Sequence, residues 1–73
     1  MKKVGAVLHY TRNGNLVTTA NQMVREGTPV YLKGKKLLGT VIETFGPVTE
    51  PYLLVKPIKL DAKPNEEIYI EEM

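Results

Sequence analysis

Val4-Gly5-Ala6-Val7-Leu8-His9-Tyr10, then Arg12-Asn13-Gly14-Asn15, then Leu16-Val17-Thr18-Thr19-Ala20: this stretch decides the fold class. Val4, Ala6, Leu8 and Tyr10 alternate with Gly5, Val7 and His9. A period of two is the mark of a strand with one buried face. Asn13-Gly14 offers the positive φ angles that a tight hairpin needs. Val17, Thr18 and Thr19 give the return the β-branched composition of a strand.

Working outward, Asn21 to Glu26 is the least strand-like stretch and the only candidate for a helical turn, ended by Gly27-Thr28-Pro29. Val30-Tyr31-Leu32 reads as a short strand and Lys33-Gly34-Lys35-Lys36 as a second hairpin turn. The longest strand is expected from Leu37 to Phe45, and its interior Gly39 suggests a bend or a close backbone approach. Gly46-Pro47 breaks it, and Val48 to Pro51 reads as a loop. Tyr52 to Val55 resumes extended structure, ended by Pro57. After a polar link from Asp61 to Glu67, Ile68-Tyr69-Ile70 makes a last strand, whose surrounding glutamates would discourage edge-to-edge association. About six short strands within 73 residues predict one all-β domain over residues 1–73. A barrel is favoured over a sandwich, because closure removes edges that a thin sandwich would expose.

The composition excludes much chemistry. The chain has no cysteine and no serine, so the two commonest side-chain nucleophiles are missing. One histidine, His9, cannot form a His-based metal site with partners of its own kind. Asp61 is the only aspartate, and Glu66-Glu67 and Glu71-Glu72 are adjacent pairs whose members point to opposite faces of a strand. Paired-carboxylate catalysis needs two groups converging on one bond. No catalytic residue, cofactor or metal is therefore expected. Behind Met1-Lys2-Lys3 the apolar run is too short for a secretory signal, and nothing approaches a membrane span. With no cysteine to staple a secreted scaffold, a cytoplasmic protein without membrane contact is expected.

Two stretches suit binding. Ten basic residues against eight acidic ones give a net charge of only +2, but Lys33, Lys35 and Lys36 crowd one hairpin tip. Three neutralised phosphates would give a salt slope of only about −2 to −3, hence weak non-specific affinity. No aromatic residue interleaves with these lysines in sequence to stack bases. The second stretch is Phe45-Gly46-Pro47-Val48-Thr49-Glu50-Pro51-Tyr52. Its prolines limit backbone freedom, so an apolar surface here would be displayed at low entropic cost. Phe45 and Tyr52 would then be interface anchors; equally, they would plug one end of the barrel.

Leu38-Gly39-Thr40-Val41-Ile42-Glu43-Thr44-Phe45-Gly46-Pro47-Val48, followed by Pro51-Tyr52 and Val55-Lys56-Pro57, resembles the Gar-type small subunit of H/ACA ribonucleoproteins. The first hairpin and the Gly27-Thr28-Pro29-Val30-Tyr31 entry also fit, so the resemblance spans about Val4 to Pro57. The sequence has none of the Gly/Arg-rich tails of eukaryotic members, which suggests an archaeal-type minimal subunit, cytoplasmic, and nucleolar only if eukaryotic.

The resemblance implies a six-stranded barrel of the translation-factor-like, split-barrel type. It also implies a non-catalytic subunit of the RNA-guided pseudouridylation complex, serving rRNA modification and ribosome biogenesis. Such a subunit would dock directly on the catalytic domain of a dyskerin-type pseudouridine synthase, as a monomer within the complex. It would meet guide RNA and substrate rRNA through that complex and influence substrate loading and release. The docking face is then expected at Phe45, Gly46, Pro47, Val48, Pro51 and Tyr52. Val41 is a second-tier candidate, because the parity of its strand is not readable from sequence. Two rivals are a ribosomal or translation-associated barrel binding RNA through Lys33, Lys35, Lys36, Lys56 and Lys59, and a ribosome-maturation barrel docking on protein.

Overall fold

The computed structural model describes residues 1–58 and 62–71; Lys59, Asp61 and Glu72, named above, lie outside the described residues. Six antiparallel strands close into a barrel in the order β1-β2-β5-β4-β3-β6. They are β1 (Lys2–Tyr10), β2 (Leu16–Thr19), β3 (Pro29–Leu32), β4 (Lys36–Phe45), β5 (Tyr52–Pro57) and β6 (Glu67–Ile70). The expected all-β barrel is thus the observed fold. The interior is filled by Val4, Val7, Leu16, Val30, Leu38, Val41, Leu53, Val55 and Ile68, drawn from all six strands. Thr18 lies among the fully buried side chains, its hydroxyl without a hydrogen-bond partner.

Strict alternation fails in β1. Val4 and Val7 are both buried although they are three residues apart, and Leu8 is exposed. The register shifts between Lys3 and Gly5 against β6 and between Val7 and His9 against β2. Each such bulge inserts a residue and changes which parity faces inward. The same device serves in β4, where a shift between Val41 and Glu43 sharpens the bend. A barrel this small must curl each strand strongly, and bulges supply the curl.

Gly39 sits at one of these corners and shows why that position has no side chain. A Cβ there would collide with the backbone carbonyl of Lys56 on β5. The close approach expected from its place inside a strand is present.

The first turn departs from the expectation for Asn13-Gly14. Only Gly14 has positive φ, at 82°. The Gly14 N–H donates to the Thr11 carbonyl at 3.1 Å and the Thr11 N–H to the Asn15 carbonyl at 2.7 Å. That is the three-residue loop in which an ordinary turn precedes one left-handed residue.

Asn21 to Glu26 forms no helical turn; it runs through bends and a turn closed by Thr28 N–H on the Arg25 carbonyl at 3.2 Å. Its polar groups find partners on the barrel instead. Asn21 N–H donates to Val4 O at 2.8 Å, and the Thr44 hydroxyl donates to the Val24 carbonyl at 2.5 Å. Val24 is buried beneath, so tertiary contacts replace a helical ladder.

The last strand is not an edge. β6 pairs with β1 through Lys2, Lys3, Gly5 and Ala6 and with β3 through Tyr31 and Leu32. Its glutamates therefore do not guard an open edge: Glu67 forms an ion pair with Lys3 at 2.5 Å, and Glu71 accepts a hydrogen bond from the Tyr31 hydroxyl at 2.8 Å.

Candidate functional site

The end of β4 and the start of β5 bring the apolar stretch into one structure. Phe45 pairs with Tyr52 across the two strands. Their ring centroids lie 5.6 Å apart with the planes tilted by 30°, inside the range where aromatic pairs attract. Both rings keep an outer face in solvent, 40% exposed for Phe45 and 38% for Tyr52.

Gly46 follows Phe45 with φ of 88°, a left-handed conformation costly for any residue with a Cβ. A Cβ there would also stand 3.0 Å from Cδ2 of Tyr52. Glycine thus lets the chain turn while the Tyr52 ring lies against it. Pro47 then leads to Val48, which is 75% exposed, more than any other large apolar residue described. The far side of the loop is anchored: Pro51 is buried and its carbonyl accepts from Ala20 N–H at 2.9 Å. The result is an apolar tip held between a left-handed glycine and a buried proline.

Two expected residues do not present themselves. Val41 is only 3% exposed and belongs to the core, because the bulge after it reverses the parity of β4. Its side chain fills the barrel instead of facing a partner. Pro51 faces inward as well and supports the tip from beneath. Phe45, Gly46, Pro47, Val48 and Tyr52 are exposed together.

The basic hairpin lies at the opposite end of β4. Lys33, Gly34 and Lys35 form its tip, with Gly34 and Lys35 at φ of 85° and 64°, and Lys36 opens β4. All three lysines are exposed, while Lys56 stands on β5 opposite Thr40 of β4. The sequence shows no aromatic residue among these lysines, yet the barrel supplies two. Lys3, Tyr69, Tyr31 and Leu37 are register partners in turn across β1, β6, β3 and β4. Tyr69 lines a hollow with Lys33 and Lys35. Sequence spacing missed this row because its members come from four strands; only the Tyr31–Lys33 spacing of two hints at it.

Lys3 and Glu67 shift one another. The Lys3 ammonium, by hydrogen bond and charge, holds the Glu67 carboxyl below its usual range, and Glu67 raises Lys3 for the same reasons. Tyr31 is raised because Glu71 holds its hydroxyl proton. Among the described residues no group of three or more His, Asp or Glu side chains converges as metal ligands would.

The described residues thus form a small closed barrel that carries an exposed apolar tip at one end of β4 and a basic hairpin at the other. The chain belongs to the Gar1/Naf1 family: residues 1–73 match the family described as "Gar1/Naf1 RNA binding region". It is similar to an uncharacterized protein of Methanocaldococcus jannaschii, 35% identical over 65 residues, covering 89% of this chain and 79% of that one. It is also similar to an uncharacterized protein of Methanothermobacter thermautotrophicus, 28% identical over 76 residues, covering 96% and 83%. The family is an RNA-binding, non-catalytic one of ribonucleoprotein components, and it gives the chain an H/ACA ribonucleoprotein-associated role.

Proposed function

We propose that this chain is the non-catalytic small subunit of an archaeal-type H/ACA pseudouridylation particle, acting in the cytoplasm on rRNA. It docks on the catalytic domain of the dyskerin-type synthase and modulates loading and release of substrate RNA. The chemistry belongs to the synthase, which agrees with a chain that has no serine or cysteine nucleophile.

The observation that carries this reading is the exposed apolar tip: Val48 at 75%, flanked by the Phe45–Tyr52 pair. An isolated protein gains nothing by keeping such a side chain in water, whereas a partner surface would desolvate it. Because Pro47 restricts the backbone and the buried Pro51 anchors the loop, little conformational entropy is lost on docking. Aromatic anchors at the centre of a desolvated patch carry most of the energy in interfaces of this kind.

Calorimetric titration of the synthase with wild type, Pro47→Glu and Val48→Glu tests the face. A charge buried at such a tip weakens binding by at least about 2 kcal/mol, about 30-fold in Kd. Thermal unfolding of the two variants stays near wild type, since both residues are exposed. Folded variants that bind as tightly as wild type would refute this docking face, and pseudouridine formed by the isolated chain would refute the non-catalytic role.

A further inference from the structure

The surface opposite the apolar tip combines fixed aromatic rings with exposed cations. Tyr31 and Tyr69 are register partners on the outer face of β3 and β6, both half-buried. Their hydroxyls are tied back, Tyr31 to Glu71 at 2.8 Å and Tyr69 to Glu67 at 3.3 Å. The rings are therefore held in place by their rims. Lys33 and Lys35 project beside Tyr69 around the same hollow.

The local charge balance decides what such a surface attracts. Lys3 neutralises Glu67 across an ion pair of 2.5 Å, whereas Glu71 accepts from the neutral Tyr31 hydroxyl and keeps its charge, so the two hairpin lysines face one uncompensated carboxylate. Among the described residues neither Lys33 nor Lys35 has an ion-pair partner within 4 Å, although the Lys33 charge also reaches Glu67, with which it lines a neighbouring hollow. Two exposed ammonium groups beside fixed aromatic rings suit a chain of alternating phosphates and flat bases. Stacking on such rings tolerates any base, while the lysines follow the backbone.

We infer that the Lys33–Lys35 hairpin with Tyr69 and Tyr31 is a second binding site, for a single-stranded segment of RNA. The site goes beyond the docking reading. It lies at the other end of β4, so the barrel can hold a protein partner by one end and an RNA strand by the other.

Fluorescence anisotropy with a labelled, unstructured RNA 12-mer, on the full chain at about 50 mM salt, tests it. Wild type binds weakly but saturably, with a log–log salt slope near −1.4 for two phosphate contacts on a single strand. The double variant Lys33→Ala/Lys35→Ala weakens binding about fivefold or more and flattens that slope. Tyr69→Leu weakens it by a similar factor through lost stacking. Tyr69→Phe keeps the ring but loses its bond to Glu67, and it binds less weakly than Tyr69→Leu, which separates stacking from any loss of fold. Val48→Glu leaves RNA binding unchanged, so failure of this site and failure of the docking face give different patterns. The inference is overturned if wild type shows no saturable binding or if the lysine pair can be removed without effect. It is equally overturned if poly-glutamate displaces the RNA at equal charge concentration, which would show a general anion exchanger.

Discussion

At one end of β4 the chain arrives through Lys33, Gly34 and Lys35; at the other it leaves through Phe45, Gly46, Pro47 and Val48. Both connections turn through positive φ, at Gly34 and Lys35 in one and at Gly46 in the other. Their surfaces are opposite in kind. The first displays cations beside tyrosines from neighbouring strands, the second an aromatic pair and a bare valine. A closed barrel makes this possible, because its interior is filled by the strands themselves and its two ends are left to vary. On the proposed reading the connections do the binding, while the strands set the distance and direction between them.

The comparison breaks most severely where both ends depend on the same support. Gly39→Ala drives a Cβ into the Lys56 carbonyl, so β4 and β5 must separate at the corner. A loss of about 1–3 kcal/mol is expected from thermal or denaturant unfolding, and a barrel this small has little stability in reserve. RNA and synthase binding should then fail together at temperatures where wild type retains both. If one survives unweakened in the unfolding range, the two ends do not share this frame.

A smaller change sharpens the contrast by touching one end only. Gly46→Ala imposes a strained left-handed conformation and presses on the Tyr52 ring. The expected cost is about 1 kcal/mol of stability, together with weaker synthase binding and unaltered RNA binding. Unchanged affinity for the synthase would mean that the position of the Tyr52 ring is irrelevant to docking.

The smallest effect concerns the basic end and depends on pH. The Glu67 carboxyl is depressed by Lys3, so its stabilising contribution is present above its ordinary value of 4.5 and is lost as pH falls through the depressed value. Lys3 is raised, so its contribution is present below its ordinary 10.5 and is lost as pH rises through the raised value. The pair is exposed, and its weight is slight and salt-sensitive. Lys3→Met should therefore lower Tm only slightly between about pH 6 and 9, and the gap should close in acid. A gap that widens in acid would show the sign to be wrong.

Much of the frame was legible in the sequence for a plain physical reason: in Val30–Leu32, Leu53–Val55 and Ile68–Ile70 a half-buried strand must alternate. Gly39 and Gly46-Pro47 were legible because glycine and proline constrain the backbone itself. What stayed hidden depends on register. The bulges in β1 put Val7 inward beside Val4, and the one in β4 buries Val41; no residue type announces where an extra residue enters a ladder. The Tyr31–Tyr69 row was invisible for the same reason, since its neighbours are 38 positions apart and meet only through β6 closing the barrel against β3. The outward tip was an open question in sequence, because an aromatic plug and an aromatic anchor have the same composition.

In the proposed docking the Phe45–Tyr52 tip, and not the basic hairpin, meets the synthase. The most direct measurement is a titration of the 15N-labelled chain with unlabelled synthase, followed by amide shifts and line widths. Phe45, Gly46, Val48 and Tyr52 should broaden or shift first while Lys33, Gly34, Lys35 and Tyr69 hold their positions until RNA is added. Perturbation of the hairpin by the synthase, with the tip unmoved, would contradict this docking.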